Sequence, residues 1–311
     1  MTTQAIFVCG ATGTQGGAVT RHLLKHGGYT VHSISRNPES SAAESLQSLG
    51  VKLLKGDFND KESLRDSIKN CTDLFLNFMP DLNNLQLEVE HAKDVLSLAK
   101  EAGVKYVIYS SSLSIKEPQR HKYWDPNSFT AAVLLSKQAI ENEVRTAGFE
   151  YWTILRPGYF MSNLLPPLVR MYPGLLENGC WTTALTPETK LALIDPDDIG
   201  RFAAAAFSNP ARFNKQEIPL SSELLGVEEI ITALSRTSGR HLEAVFMAQE
   251  EAEAQAPTNP FISGQLAMRD MDQFVDDGLT RSYGLPLGTF EQFLQREKAK
   301  VVEAYAGVSD R

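Results

Sequence analysis

The sequence is poor in cysteine and has no excess of basic residues. Its 3 cysteines, Cys9, Cys71 and Cys180, form no C-x-x-C pair, so neither a disulfide framework nor a thiolate metal site is expected. We predict no bound metal and a reducing, cytoplasmic setting. The formal net charge is −8, whereas binding to nucleic-acid phosphates needs clustered lysine and arginine. Direct binding of nucleic acid is therefore not expected.

Long hydrophobic runs and two common catalytic motifs are also missing. No apolar run approaches the roughly 18 residues of a membrane span, and the N-terminus lacks the pattern of a secretion signal. We interpret the chain as complete, with no membrane contact. Neither a G-x-S-x-G elbow nor a G-x-x-x-x-G-K-[ST] loop is present, so hydrolase and nucleoside-triphosphatase chemistry have no local support.

Strand-like and helix-like segments alternate through the first half of the chain. The predicted strands are Ala5–Cys9, Tyr29–Ser35, Val51–Leu54, Asp73–Phe78, Tyr106–Ser110 and Tyr151–Leu155. The predicted helices between them are Gly16–His26, Ser41–Leu49, Lys61–Lys69, Leu85–Ala102 and Phe129–Ala147. Strands separated by helices form a parallel sheet covered on both faces, because each crossover must return across the sheet. The sequence predicts an α/β, Rossmann-like doubly wound fold.

This alternation ends after Arg156-Pro157-Gly158 and returns only briefly, with a strand-like Leu191–Ile194 and a helical Asp198–Phe207. We assign residues 1–158 and about 188–211 to a Rossmann domain. Residues 159–187 and 212–311 are assigned to a smaller, discontinuous C-terminal α+β domain that binds substrate or a partner. One amphipathic helix is predicted there, over Phe290–Tyr305.

A glycine-rich turn follows the first predicted strand with the spacing G-x-x-G-x-x-G. One glycine permits the tight turn, another lets backbone N–H groups approach a pyrophosphate, and the last allows close contact between helix and strand. The alternative is a turn that is merely tight. We predict that this turn binds a dinucleotide through Gly10, Thr12, Gly13, Thr14, Gln15 and Gly16.

The end of the second predicted strand indicates which dinucleotide is bound. An acidic residue there accepts hydrogen bonds from the ribose of NAD, but this chain has Arg36, whose guanidinium suits a 2′-phosphate. We predict NADP(H), the alternative being an exposed strand-end charge. After the third strand, Asp57 is predicted to accept from the adenine amino group and Phe58 to pack on the ring, unless this segment is only a polar turn.

Several motifs together resemble the NmrA-like branch of the atypical short-chain dehydrogenase/reductases. They are the run Gly10–Gly17, the Gly56-Asp57 turn, Leu155–Met161 with Asn163, and Asp195–Gly200. The resemblance covers nearly the whole chain and weakens after about Phe207. It implies a Rossmann domain that binds NADP(H), a smaller C-terminal domain, and two kinds of member: reductases and nucleotide-sensing regulators.

The helix after the fifth strand carries a catalytic candidate. Ordinary short-chain dehydrogenases place Y-x-x-x-K there, because residues i and i+4 share one helix face. The corresponding run keeps Lys137 but has Val133 in place of the tyrosine, as in NmrA-like relatives. Lys137 is predicted to bind the nicotinamide ribose, to donate the proton, or both. The alternative is a solvated helix lysine.

Residues at the ends of the fourth and fifth strands lie at the sheet edge where ligands of open α/β sheets bind. We predict cofactor contacts for Asn77, Phe78, Met79 and Ser110, although ordinary packing also explains Phe78 and Met79. Ser111 is a candidate donor to a substrate carbonyl. Its alternative role is to satisfy backbone groups at the strand end.

Aromatic residues supply the remaining candidates. Tyr123 lies in a long connection and is the best substitute phenol acid, the alternatives being an aromatic wall or an exposed loop side chain. Cofactor contacts are also predicted for Pro157, Tyr159 and Phe160. Tyr159, Phe160, Met161 and Trp181 form either an apolar pocket for a flat substrate or core packing.

Two functions from different classes follow from these observations. The first is an NADP(H)-dependent oxidoreductase that reduces an apolar carbonyl, enone or quinone-type compound, with Lys137, Tyr123 or water supplying the proton. The second is a regulator that binds NADP(H) without turnover and controls a protein partner. An oligomer is compatible with either, and we favour the enzyme.

Overall fold

The computed structural model describes residues 3–81 and 84–308. The chain forms two compact units. The first comprises Met1–Ile115, Leu135–Arg156 and Pro196–Ile218, and the second comprises Lys116–Leu134, Pro157–Asp195 and Pro219–Arg311.

Strands and helices alternate as far as the sixth strand. The strands are β1 (Gln4–Val8), β2 (Tyr29–Ser35), β3 (Lys52–Lys55), β4 (Asp73–Leu76), β5 (Tyr106–Ser110), β6 (Tyr151–Pro157), β7 (Tyr159–Phe160), β8 (Cys180–Thr183), β9 (Lys190–Ile194), β10 (Gln216–Leu220), β11 (Glu223–Gly226) and β12 (Glu243–Phe246). The α-helices are α1 (Thr14–His26), α2 (Ser41–Ser48), α3 (Lys61–Ile68), α4 (Leu85–Glu101), α5 (Phe129–Thr146), α6 (Pro196–Ser208), α7 (Pro210–Phe213), α8 (Val227–Ser238), α9 (Gln249–Gln255), α10 (Pro260–Met268), α11 (Asp277–Ser282), α12 (Phe290–Arg296) and α13 (Lys298–Tyr305).

The first unit is built on a 7-stranded sheet with the order β10-β6-β5-β4-β1-β2-β3. Strands β6, β5, β4, β1, β2 and β3 pair with one another in parallel, and β4 and β5 are buried along their whole length. The predicted Rossmann-like, doubly wound sheet is confirmed. The chain leaves β1 toward β2 on one side and later returns to β4 on the other, so the strand order reverses there. Open α/β sheets bind ligands at such a reversal.

Observed strand limits agree closely with the predicted ones, with one difference that affects the site. Strands β2 and β5 have the predicted bounds. Strand β4 ends at Leu76, so Asn77 and Phe78 follow the strand instead of ending it. Their side chains therefore lie in the loop at the carboxyl edge of the sheet.

The two compact units differ from the predicted domain limits in four segments, of which residues 157–158, at the start of the second unit's middle segment, are the shortest. Residues 188–195 belong to the second unit because β9 pairs with β11 and β7. Residues 212–218 belong to the first unit because β10 extends its sheet beside β6. The connection over residues 116–134 also groups with the second unit. A short apolar run does not reveal which strand it will pair with, so the sequence could not separate these cases.

The second unit contains a 3-stranded sheet, β11-β9-β7, and a 2-stranded sheet, β12-β8. The single helix predicted over Phe290–Tyr305 is wrong, because α12 and α13 are separated at Glu297. Arg296, at the end of α12, donates hydrogen bonds of 2.7 and 2.9 Å to the two carboxylate oxygens of Asp195. In the part of the chain that the structure describes, no helix is long and apolar enough to cross a membrane.

A buried charge cluster connects α5, β6 and β10 in the first unit. Arg156 donates to Glu141 at 2.9 and 2.7 Å and to Glu217 at 2.6 Å. Arg145 also donates to Glu141, at 2.6 Å, and to Glu217, at 2.7 Å. Burial opposes ionisation of Glu217, but the two arginines more than offset it and lower the pKa of its carboxyl. The cluster therefore favours the charged form of the Glu217 carboxyl.

Replacing the central arginine of this cluster should destabilise the protein strongly. Arg156→Met leaves the Glu141 carboxylate, whose side chain is 1% exposed, without one of its two cations. We expect the free energy of unfolding to fall by about 3 kcal/mol, because an uncompensated buried charge is costly. Urea unfolding measures the change. The control is Lys61→Met, which removes the exposed ion pair with Asp94 and should cost less than about 1 kcal/mol. Equal losses for the two variants would contradict the prediction.

Candidate functional site

A groove of about 540 Å³ is lined by residues that follow the carboxyl ends of parallel strands in the first unit. Gly10 and Thr12 follow β1, Arg36 follows β2, Asp57 and Phe58 follow β3, and Phe78 and Met79 follow β4. All seven were predicted to bind the cofactor. The groove thus collects residues that are far apart in sequence, as the parallel arrangement of the strands requires.

The glycine turn lies at one wall of this groove and needs its glycines for close approach. Gly10 has a φ of +66°, and its carbonyl accepts a 2.8 Å hydrogen bond from the Gly13 N–H. A Cβ at Gly16 would lie 2.3 Å from the Gly10 carbonyl oxygen. Helix α1 follows with Gly13 as its N-cap, and it has no side-chain cap and no acidic residue in its first turn. This arrangement leaves the helix N-terminus suited to an anion.

A short hydrogen-bond chain joins three predicted cofactor residues from separate elements. Ser110 Oγ donates to Gln15 Oε1 at 2.6 Å, and Gln15 Nε2 donates to Asn77 Oδ1 at 3.2 Å. The glycine turn is thereby tied to the ends of β4 and β5. Cys9 lies beside these hydrogen bonds. Burial raises the pKa of its thiol to about 12, so the thiol stays protonated and the residue has a structural role.

The opposite end of the groove combines one cation with aromatic rings. Arg36 is exposed and has no hydrogen bond or ion pair to any residue in 3–81 or 84–308. Asp57 Oδ1 accepts from the Asn59 N–H at 2.8 Å, which forms the predicted polar turn. The Phe58 ring packs edge-on against Phe78, with 4.9 Å between ring centroids. His91, which sequence reasoning missed, also lines this end.

Lys137 is half-buried, and its ammonium is held by a carboxylate. Its Nζ donates to Glu88 Oε1 at 2.7 Å and lies 3.5 Å from the Phe78 carbonyl oxygen. The alternative of a freely solvated lysine therefore does not apply. Glu88 was missed by sequence reasoning, although one signal was available. It lies in the first turn of α4, the helix that follows β4 at the ligand-binding edge of the sheet.

The hydroxyl of Ser111 is buried beside the Tyr109 phenol, with which it interacts. The Ser111 backbone N–H donates to the Leu155 carbonyl at 2.8 Å. Ser111 Oγ makes no hydrogen bond to a backbone group of the residues that the structure describes. The alternative role, in which the hydroxyl satisfies a backbone group, therefore does not describe Ser111 Oγ.

Tyr123 lies in the second unit, where its phenol oxygen accepts two hydrogen bonds. Gln249 Nε2 donates at 3.0 Å and Arg269 Nη1 donates at 3.3 Å. The Lys122 ammonium and the Arg269 guanidinium also lie 5.3 and 5.4 Å from the ring centroid. Burial acts to raise the pKa of the Tyr123 phenol, but these donors and cations together outweigh it and lower that pKa.

The aromatic residues around the end of β6 form the interior of the second unit. Tyr159, Met161 and Trp181 are 5%, 0% and 1% exposed. The Tyr159 hydroxyl shares a 2.5 Å hydrogen bond with that of Tyr172, whose ring packs edge-on against Trp181. Core packing, rather than an apolar pocket, therefore describes these side chains. Of the other two predicted residues, Pro157 is buried and Phe160 is half-buried.

Two curated relatives and two solved structures resemble this chain over most of its length. An NmrA-like family domain-containing protein of Dictyostelium discoideum is 27% identical over 78% of this chain and 80% of its own length. The NmrA-like family domain-containing oxidoreductase FrzB of a Cladobotryum species is 27% identical over 76% of this chain and 74% of its own length.

The solved structures share the fold. An NADPH-dependent quinone oxidoreductase of Escherichia coli, crystallised with NADPH, has a TM-score of 0.72 and 21% identity, covering 94% of this chain and 99% of its own. The negative transcriptional regulator NmrA, crystallised with NAD, has a TM-score of 0.64 and 19% identity, covering 100% of this chain and 93% of its own.

The agreement with the family extends to both ends of the chain. The NmrA-like family matches residues 2–310. It thus covers the glycine turn, the groove and the second unit alike. The chain belongs to the NmrA-like family.

Proposed function

We propose that the protein is an NADP(H)-dependent oxidoreductase that reduces an apolar carbonyl, enone or quinone-type small molecule. The observation that carries the proposal is Arg36, an exposed guanidinium on the same groove as the glycine turn, with no partner in the described part of the chain. A curated relative named as an oxidoreductase and a similarly folded NADPH-dependent quinone oxidoreductase support the reaction class.

The groove fits a 2′-phosphorylated dinucleotide at three places. The uncapped start of α1 and the Gly10–Gly13 turn suit a pyrophosphate. The Arg36 guanidinium suits a 2′-phosphate through its charge and paired donors. Phe58 and Phe78, which pack against each other, offer an apolar ring surface for a flat base.

Three residues have roles in the proposed reduction, for which bound NADPH would supply the hydride. Lys137 holds the nicotinamide ribose, and the hydroxyl of Ser111 donates a hydrogen bond to the substrate carbonyl. Tyr123 donates the proton, because its oxygen accepts from Gln249 and Arg269, which leaves its own O–H proton for a substrate. Lys137 is assigned to the ribose and not to the proton, because one of its N–H donors is already committed to the Glu88 carboxylate.

A second candidate function is an NADP(H) sensor without turnover. The Val133 position lacks the tyrosine of ordinary short-chain dehydrogenases, and the regulator NmrA shares the fold. A screen of quinones, enones and ketones with NADPH separates the two functions. Turnover supports the oxidoreductase. Tight NADPH binding with no turnover of any compound supports the sensor, whose protein partner would then bind the NADPH and NADP⁺ forms with different affinity.

The cofactor preference should depend on Arg36. Because a hydrogen bond to a charged group contributes about 1.5–3 kcal/mol, Arg36→Ala should narrow the preference for NADPH over NADH by about tenfold or more. Titration calorimetry with both nucleotides measures the ratio. The control is Arg65→Ala, which changes an exposed arginine on α3 that pairs with Glu101. An unchanged ratio in Arg36→Ala removes this residue from the proposed site.

Turnover should require the phenol of Tyr123. We expect Tyr123→Phe to lower kcat by about 10²-fold or more on an accepted substrate, with NADPH affinity unchanged. Turnover should also fall as pH rises through the pKa of Tyr123, and this fall should begin at lower pH than for an ordinary tyrosine. Gln249→Leu removes one donor and should move the fall to higher pH.

The matched control for this prediction is Tyr151→Phe, at the amino end of β6, away from the ligand-binding edge. Steady-state kinetics across pH should show wild-type behaviour for it. A wild-type kcat in Tyr123→Phe would exclude this phenol as the acid.

A further inference from the structure

We propose that Glu88 is a positioning residue of the cofactor site, whose buried carboxylate fixes the Lys137 ammonium for contact with the nicotinamide ribose of NADPH. The inference rests on the proposed function. It assigns a task to a carboxylate that lines the groove and that neither the glycine turn nor Arg36 explains.

The two side chains of the Glu88–Lys137 ion pair differ in burial. The Glu88 side chain is 0% exposed and the Lys137 side chain is 12% exposed. The Lys137 side chain is therefore the more exposed partner of the ion pair, and solvent reaches it while the Glu88 carboxylate is enclosed.

The carboxylate is itself held from several directions. Glu88 Oε1 accepts the hydrogen bond from Lys137. Glu88 Oε2 lies 3.3 Å from Ser136 Oγ, whose single O–H it shares with the Leu85 carbonyl, also at 3.3 Å. Glu88 also lies in the first turn of α4, where the helix dipole favours a negative charge. The carboxylate is a fixed point on which a flexible lysine can be oriented.

The lysine retains a donor for a ligand. An ammonium has three N–H donors. The Lys137 ammonium uses one for Glu88 and directs another, at 3.5 Å, to the Phe78 carbonyl. The third has no partner in the described residues. With two donors committed, the position of Nζ is determined before the dinucleotide arrives.

Orientation, rather than stability, is the benefit that the pair provides. Buried ion pairs add little net stability compared with apolar residues of the same volume, because desolvation cancels most of the attraction. A lysine side chain has many rotamers, and a ligand that binds it must overcome the loss of their entropy if the side chain is free. Ordering the side chain in advance lowers that cost and strengthens binding.

The test compares two probes in the variant Glu88→Gln, which keeps the shape of the side chain and removes its charge. NADPH contains the nicotinamide ribose. Adenosine 2′,5′-bisphosphate contains only the adenosine end with its 2′-phosphate. We expect the Kd for NADPH to rise about tenfold, a loss typical of a hydrogen bond to a charged group, and the Kd for the bisphosphate to stay unchanged. The control Glu90→Gln makes the same change at an exposed position of α4 and should alter neither value.

A double-mutant cycle shows whether Glu88 acts through Lys137. Lys137→Met should weaken NADPH binding, and adding Glu88→Gln to it should cause no further loss. Urea unfolding of the same set supplies a second readout. Lys137→Met alone should have the lowest free energy of unfolding, because it leaves the buried Glu88 carboxylate without its cation. The double variant should regain part of that free energy, because it no longer contains the carboxylate.

The outcomes separate this inference from the proposed function. Wild-type protein that does not bind NADPH overturns the proposed function and this inference with it. This inference alone is overturned if the wild-type protein binds NADPH but Glu88→Gln changes the Kd values of both probes equally or changes neither. Additive losses of NADPH affinity in the cycle also overturn it, because they would show that Glu88 acts independently of Lys137.

Discussion

The reversal of strand order between β1 and β4 is the constraint on which the rest of the first unit depends. Parallel strands end at one edge, and at a reversal the connecting segments diverge, so a groove forms there without any special loop. The glycine turn after β1, Arg36 after β2 and Phe78 after β4 meet along that groove for this reason. Their chemistry differs, but their placement has one cause.

Buried charge is used for two purposes in this unit. Around Arg156, two carboxylates and two arginines satisfy one another and connect α5 with the edge strands β6 and β10. At Glu88 a single carboxylate faces a single ammonium, and the ammonium is the more exposed partner. The first arrangement is closed and leaves little for a ligand to bind. In the second arrangement the lysine side is exposed. This is expected where a charged group must be fixed in position and also remain accessible to a ligand.

Local patterns predicted the sheet well because each parallel strand is a short apolar run bounded by turn residues. They placed the glycine turn and Arg36 correctly at the groove because position at a strand end fixes position at the sheet edge. Pairing partners are not local, so the compact units that contain β9 and the start of β10 differ from the predicted domain limits there. Glu88 was missed for a related reason: only the fold reveals that a residue in the first turn of α4 is completely buried beside Lys137, a residue of another helix.

The loss of the tyrosine at Val133 separates two tasks that ordinary short-chain dehydrogenases combine on one helix face. In the proposed function, Lys137 is the residue that holds the ribose, and Glu88 contacts it within the first unit. Tyr123, which Gln249 and Arg269 contact within the second unit, is the proposed proton donor. Under this proposal, a chain that kept the first arrangement and lost the second would bind the dinucleotide without turnover. Reductases and sensors of one family can therefore share an intact cofactor groove, and the second unit is where the difference between them is expected to lie.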